Sequence, residues 1–229
     1  MRNREKFSIL KSVTALALIL LCLIAAQWQY HRGLDRHHRN YLIEKNIAAA
    51  TLNLTVAEKN LLVNEWRTVS TSGIFVPTQT ILIRNRYYEG KYGFEYLTLF
   101  INEEGKKFWV DRGWVIAGKD AVTAPTLPAT PTGNVQIVGR LRLDTSLPQG
   151  SFFALPTLGG GLISKWNAQK EVATEPFYLD LLSGSWHSAA TVTAQLPELS
   201  DGPHMAYALQ WLFFAGLVGY GRVLIRRSR

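Results

Sequence analysis

Two long apolar runs lie near the ends of the chain, and the segment between them has shorter, alternating patterns. The first run, VTALALILLCLIAA, covers residues 13–26 and is extended by Ser12 and by residues 27–30. The second run covers residues 205–221. A membrane-spanning helix needs about 20 mostly apolar residues. The pattern therefore predicts transmembrane helices over residues 12–30 and 204–223.

Between the two runs the pattern changes from helical to extended. Residues 31–50 are polar and rich in helix formers, so the first helix is expected to continue to near Thr51, and LTVAEKNLL predicts a short helix. From Trp66 onward, β-branched and aromatic residues alternate with polar ones, as in half-buried strands. The predicted strands are WRTVSTSGIFV, TILIRNRYY, FEYLTLFI, KKFWVDRGWVIA, VQIVGRLRL and PFYLDLL.

Short turns join several of the predicted strands. NEEG, residues 102–105, is typical of a hairpin turn, and the Pro/Thr-rich stretch that contains ATPTG separates the fourth strand from the fifth. Consecutive strands with short connections favour an antiparallel sheet that closes, or nearly closes, on itself. The expected fold class is an α+β membrane protein, in which two transmembrane helices flank a mainly antiparallel, barrel-like domain. This domain would span residues 31–203 and begin with a helical segment.

The net charge of +8 is concentrated at the two ends of the chain. Residues 1–11 carry a net charge of +3, and four arginines in residues 222–229 add +4, which leaves +1 for the middle. A domain that binds nucleic acid should have a basic face, and this balanced middle has no such excess. We therefore expect no nucleic-acid partner.

The same charges predict the orientation in the membrane. Basic residues mark the cytoplasmic side of a span, and Trp and Tyr favour the interfaces. Both runs predict cytoplasmic termini (1–11 and 224–229) and a domain on the other side. A cleaved signal peptide is the alternative for the first run, although Ile24-Ala25-Ala26 lacks the small-x-small pattern of a cleavage site. Because no Arg/Ser-rich presequence precedes the first run, we expect the bacterial cytoplasmic membrane, with its lipid as a contact, rather than a mitochondrion.

Signals for enzymatic chemistry are weak. Cys22 is the only cysteine and lies in the first apolar run, which excludes a disulfide or a paired-thiol site in the domain. LGGGLISKW lacks the GK[ST] sequence of a phosphate loop. His37 and His38 are adjacent, so on a helix they point about 100° apart and make a poor metal site. His187 lies among serines in LLSGSWHSA, but no GxSxG motif accompanies it, so a Ser/His enzyme is only a remote alternative.

The second apolar run begins with a histidine. Five residues fall on one face of the predicted helix: His204, Tyr207, Ala208, Trp211 and Ala215. One interpretation is an interfacial histidine with the aromatic residues common at membrane surfaces. The other is axial ligation of haem iron, because neutral imidazole is a haem ligand and aromatic rings can form the walls of the pocket. Gln210, inside the run, needs a polar partner from the first helix or from a cofactor.

Several motifs resemble those of the Surfeit locus protein 1 family, assembly factors of haem-copper cytochrome oxidase. PHMAYALQW, residues 203–211, resembles the family's second-span signature, and WQYHR, residues 28–32, resembles WQxxR at the end of its first span. GIFVP, RNRYYEGKYGFEYLTLF, KFWVDRGWV, VGRLR and PFYLDL resemble its strand motifs in the same order, over almost the whole chain. Ala26 replaces the usual glycine before WQ, and Asp111 and Ile116 replace Asn and Pro in the family's NRGWVP.

The resemblance implies an assembly factor, not an enzyme, that binds haem a as cargo and assists its insertion into the catalytic subunit of cytochrome c oxidase. Haem a synthase is a further expected partner. Nine residues would contact the haem: His204 as the axial ligand of the iron, with Tyr207, Gln210, Trp211, Trp28, Gln29, Arg32, Arg112 and Trp114. For Arg112 and Trp114 the alternative is a role in a strand turn and the core. For the whole protein, the alternative is a cofactor-free scaffold that holds oxidase assembly intermediates.

Overall fold

The computed structural model describes residues 7–118, 123–144, 161–186 and 192–228. The chain forms two compact units, one from Met1–Leu42 with Glu198–Arg229 and the other from Ile43–Pro197. The helices and strands, in chain order, are α1 (Ser8–Ala48), β1 (Leu52–Asn53), α2 (Leu54–Ala57), a 3-10 turn (Glu58–Asn60), α3 (Leu61–Asn64), β2 (Thr68–Tyr88), β3 (Lys91–Asn102), β4 (Lys107–Ile116), β5 (Val135–Leu143), α4 (Leu162–Lys170), β6 (Phe177–Gly184) and α5 (His204–Arg227).

Two helices are long and apolar enough to cross a membrane. α1 has 41 residues and a mean hydropathy of 2.5 over its most apolar window, and α5 has 24 residues and a value of 1.4. The predicted spans, 12–30 and 204–223, lie within these helices, and α1 continues to Ala48 as the polar sequence after the apolar run indicated. Most of their large apolar side chains are exposed, as expected for helices that contact lipid.

The second unit contains a closed, five-stranded β-barrel. The strands pair in the order β2-β3-β4-β6-β5, and β5 also pairs with β2, which closes the sheet. Closure leaves no long open edge to aggregate. The barrel-like prediction is therefore confirmed, but the sheet is mixed, since β4 and β6 are parallel. The parallel pair arises because β6 inserts between β4 and β5 and runs antiparallel to β5.

The first two predicted strands are a single long strand, β2. Its first part pairs with β5 and the rest pairs with β3, with a register shift between Val76 and Thr80. Pro77 lies at this shift, where its missing N–H interrupts the ladder without ending the strand. The NEEG hairpin is confirmed: the Asn102 N–H donates to the Lys106 carbonyl at 3.0 Å, and the Asn102 side-chain oxygen accepts from Lys106 N at 2.8 Å.

Apolar side chains fill the barrel and also cover part of its outer face. Because neighbouring residues of a strand point to opposite faces, Phe108 and Val110 lie in one cluster and Trp109 in another. α4, which the sequence analysis did not predict, packs Ile163 and Trp166 into the second cluster. The indole N–H of Trp109 donates to Asn167 of α4 at 2.9 Å, so this helix is fastened to the sheet.

Five charged side chains are buried on the strands β4, β5 and β6: Asp111, Arg112, Arg140, Arg142 and Asp180. Arg142 donates to Asp180 at 2.5 Å, and its guanidinium lies 3.7 Å from the ring centroid of Trp66. The Nε atom of Arg140 is 3.7 Å from the same carboxylate. Burial of a charge is costly unless it is paired, and Asp180 has two cationic neighbours that offset this cost.

Candidate functional site

Within the first unit, α1 and α5 pack antiparallel. Near the start of α5, His204 lies beside Gln29, and a Cβ placed at Gly219 would lie 3.7 Å from Ile19. Small residues make this close approach possible. The buried positions of the interface, which we call the helix seam, include Cys22, Ala26 and Gly33 on α1 and Ala208 and Ala215 on α5. Small side chains let helix backbones come together where no hydrophobic effect drives association.

His204, the predicted ligand, begins α5 and is half-buried. Its Nδ1 atom is 2.9 Å from Oε1 of Gln29. Gly33, one turn further along α1, lies beneath this pair: a Cβ there would be 3.2 Å from Met205 Sδ and 3.4 Å from His204 Cβ. The structure thus brings together two of the predicted site residues, His204 and Gln29. They lie next to Gly33, where α1 has no side chain that would keep the helices apart.

The other predicted residues of α5 differ in their exposure. Trp211 is half-buried, and its ring meets Phe214 edge-on at a centroid distance of 5.8 Å. Tyr207 is 46% exposed, so the predicted face turns partly away from α1. The Gln210 side chain is exposed, and within the described part of the chain no hydrogen bond joins it to α1. Tyr207 and Gln210 are therefore accessible from outside the helix pair.

Trp28 and Arg32 form a second accessible pair, on α1. Trp28 is 57% exposed, and the Arg32 guanidinium lies 5.9 Å from the centroid of its ring. This is a cation–π distance, at which the indole face holds the cation in place. Both residues flank Gln29 in sequence but lie outside the helix seam.

A polar cluster that the sequence analysis missed ties the chain before α5 to α1. The Asp201 carboxylate accepts from Asn40 at 2.9 Å and lies 2.7 Å from His37 Nδ1, and Arg36 donates to the Ser200 carbonyl at 2.6 Å. The hydrogen bonds from His37 and Asn40 hold the pKa of Asp201 below its usual value. We call this group the outer tie. Its α1 residues continue the spacing of Gln29 and Gly33, which is the signal that could have revealed it.

Arg222 makes a corresponding contact near the other end of α5. Its guanidinium donates to the hydroxyl of Ser12 at 2.9 Å and to both the carbonyl and the hydroxyl of Ser8 at 3.0 Å. An arginine inside an apolar segment needs such partners, because lipid offers none. The contact also joins the start of α1 to the last turns of α5.

Arg112 and Trp114, the remaining predicted residues, belong to the barrel unit. Arg112 is 3% exposed and donates to Thr130 Oγ1 at 2.8 Å and to the Ala129 carbonyl at 2.9 Å. Its burial lowers the pKa of the guanidinium. The indole of Trp114 donates to the Arg86 carbonyl at 3.2 Å. Both side chains hold parts of the barrel unit together, and their haem contact stays a prediction.

The described residues contain no group of three or more His, Cys, Asp or Glu side chains placed to hold a metal ion. A haem iron needs only one protein ligand of this kind, because the macrocycle supplies the other four nitrogens. His187, the residue of the remote Ser/His alternative, lies outside the described residues.

Comparison with known proteins agrees with these observations. The SURF1 family model matches residues 16–216, which include most of α1, all strands of the barrel and the first half of α5. Similar proteins include uncharacterised SURF1-like proteins of Mycobacterium bovis and Mycobacterium tuberculosis. Each is 26% identical over 226 residues, which cover 92% of this chain and 80% of the relative. The chain therefore belongs to the SURF1 family, known broadly as cytochrome oxidase assembly factors and not as enzymes.

Proposed function

We propose that this protein binds haem a and assists its insertion into the catalytic subunit of a haem-copper cytochrome c oxidase, with His204 as the axial ligand of the iron. Family membership supports the assembly role. The observation that carries the haem proposal is the placement of His204, a half-buried imidazole on the first residue of a helix long and apolar enough to cross a membrane.

The surroundings of His204 fit the chemistry of a haem. Neutral imidazole is a common haem ligand, and when bound the iron would accept one nitrogen lone pair from it. Tyr207 and Trp211 follow at intervals of three and four residues and offer aromatic surface to an apolar macrocycle. Arg32, accessible beside Trp28, can pair with a propionate carboxylate by charge-assisted hydrogen bonds. The exposed amide of Gln210 on α5 offers a further hydrogen-bonding group to polar substituents of the haem.

We further propose that the protein spans the bacterial cytoplasmic membrane twice, with both termini in the cytoplasm and the barrel unit outside. The contact of Arg222 with Ser8 and Ser12 supports this topology, because it joins the start of α1, which contains Lys11, to the end of α5, which contains Arg226 and Arg227. His204 would then lie near the outer surface. Haem a synthase is the proposed source of the cargo, and the oxidase catalytic subunit its destination.

The proposal can be tested in cells that lack their own copy of the protein and are complemented with variants of this chain. The haem a content of the catalytic oxidase subunit would be measured after purification of the oxidase. We expect His204→Ala to lower that content strongly. His38→Ala is the matched control, because His38 is another histidine of the first unit but is exposed.

The competing scaffold function predicts a different result. If His204→Ala supports normal haem a content in the oxidase, at normal levels of the variant protein, haem ligation by His204 is contradicted. The protein would then act by holding assembly intermediates.

A further inference from the structure

We propose that Gln29 is a positioning residue that fixes the protonation of the His204 ring, so that Nε2 is the nitrogen presented to a metal. This inference rests on the proposed ligation of haem by His204 and gives a specific role to a second residue. Gln29 does not touch the iron in this arrangement. It acts through the imidazole.

The first step is the identity of the two atoms in contact. Nδ1 of His204 lies 2.9 Å from Oε1 of Gln29, and an amide oxygen can only accept a hydrogen bond. Nδ1 must therefore carry the proton. A neutral imidazole has one N–H and one lone pair, so the lone pair is then on Nε2. Haem iron binds a lone pair, and this bond therefore selects the ligating atom before any haem arrives.

The surroundings of Gln29 explain why its hydrogen bond with His204 persists. Gln29 is half-buried in the helix seam, between the buried Ala26 and Gly33. Water competes poorly for such a group, and a hydrogen bond in these surroundings is electrostatically stronger than one in water. A Cβ at Gly33 would lie 3.2 Å from Met205 Sδ and 3.4 Å from His204 Cβ, so a large side chain at this position would crowd both residues.

The third step is the register of the helices. At one end of the helix pair, the outer tie joins Asp201 to Asn40. At the other end, Arg222 of α5 donates to Ser8 and Ser12 of α1. A slide of one residue along a helix moves a side chain by about 1.5 Å. That displacement is enough to break a hydrogen bond of normal length. The contacts at both ends therefore keep His204 level with Gln29.

The consequence is electronic as well as geometric. An acceptor on the N–H of a ligating imidazole fixes the ring orientation and makes the other nitrogen a stronger donor. A stronger donor stabilises ferric over ferrous iron, so Gln29 should lower the reduction potential of the bound haem. Removal of such an outer partner typically costs about 10- to 100-fold in metal affinity.

The direct test is ¹⁵N NMR of the full-length, haem-free protein labelled with ¹⁵N-histidine, at a pH where the imidazole is neutral. The His204 signals would be assigned by their loss in His204→Ala. We expect a protonated Nδ1 and an unprotonated Nε2 in the parent, and a mixture of both forms in Gln29→Leu. Gln29→Glu keeps an acceptor and should restore the parent pattern. Gln27→Leu, which changes an exposed glutamine two residues away, should leave the pattern unchanged.

Haem titration of the same variants gives the second readout. Gln29→Leu is expected to bind haem about 10- to 100-fold more weakly and to raise its reduction potential, while Gln29→Glu lowers the potential. A parent protein with the proton on Nε2, or Gln29 variants with unchanged potential and affinity, would overturn the role of Gln29 even if His204→Ala loses haem. If His204→Ala keeps its haem, the proposed function fails instead, and the NMR result still decides the hydrogen bond.

Discussion

Asp111 of β4 lies directly opposite Asp180 of β6 in the parallel strand pair of the barrel. Asp111 is fully buried, and burial together with the nearby charges of Glu95 and Asp180 raises its pKa well above the usual range. A protonated aspartic acid has one donor and one acceptor group, like the Asn that the resembled family motif has at this position. This explains how the barrel accepts an acidic residue there.

Asp111→Asn should therefore stabilise the protein at neutral pH, by an amount on the order of 1 kcal/mol. The folded state binds the Asp111 proton more tightly than the unfolded chain does. Its contribution to stability is full below the unfolded pKa and is lost as the pH rises through the folded pKa. Unfolding of the full-length variant in detergent, measured across pH, should show a flatter profile than the parent. Glu89→Gln, at an exposed position, is the control. A loss of stability in Asp111→Asn at neutral pH would contradict this explanation.

Arg142→Met should destabilise the barrel by about 3 kcal/mol, because it leaves the buried Asp180 carboxylate without its nearest cation. Urea unfolding followed by tryptophan fluorescence measures the change. Arg84→Met, at an exposed position of β2, should have little effect. The double variant Arg142→Met/Asp180→Asn should recover part of the loss. If the double variant is less stable than the single one, the cost does not come from an unpaired charge.

Gly33→Leu should weaken haem binding without unfolding the barrel unit. The added side chain meets Met205 and His204 within 3.4 Å of its first carbon, so it separates α1 from α5 beside the His204–Gln29 hydrogen bond. Haem occupancy after co-expression is the readout, and barrel integrity is followed by circular dichroism. Gly216→Leu is the matched control in α5, since a Cβ there meets nothing within 4 Å. Equal occupancy in the two variants would rule out a close helix approach as a requirement.

Asp201→Ala should loosen the turn that leads into α5. The carboxylate anchors this turn through His37 and Asn40, so its removal should speed hydrogen exchange at residues 200–206. Acid should have the same effect in the parent. The pKa of Asp201 is lowered in the folded state, so the stabilisation is present above the unfolded pKa and lost as the pH falls through the folded pKa. Glu198→Ala, at another exposed position, should leave exchange unchanged.

The sequence predicted the parts of the fold that depend on local pattern. Alternation located the strands, and the NEEG turn was identified because its residues determine its own geometry. The parallel pairing of β4 with β6 was not predictable in this way, since it depends on which distant strand inserts between two others. The division at Pro77 was wrong because a proline within a bulge interrupts hydrogen bonding without ending a strand. α4 was not predicted, because LGGGLISKW was tested only against the pattern of a phosphate loop and the helix after its glycines is short.

The candidate site also depends on contacts between distant parts of the sequence, which local patterns do not reveal. Helical spacing and the family resemblance singled out His204 and Gln29 separately, but their contact joins positions 175 residues apart. The outer tie was missed because His37 was considered only as a metal ligand, whereas its partner is a carboxylate 164 residues away. The exposure of Tyr207 depends on how α5 is rotated against α1, which small residues such as Ala208 and Ala215 determine.

Ligation of haem a by His204 can be measured by the visible absorption spectrum of the purified, reduced protein. The parent, His204→Ala and His38→Ala would each be co-expressed in cells that make haem A. If His204 ligates haem a, the parent and His38→Ala should show a haem a band, and His204→Ala should lose or shift it. A parent without haem, or an unchanged band in His204→Ala, would contradict ligation by His204.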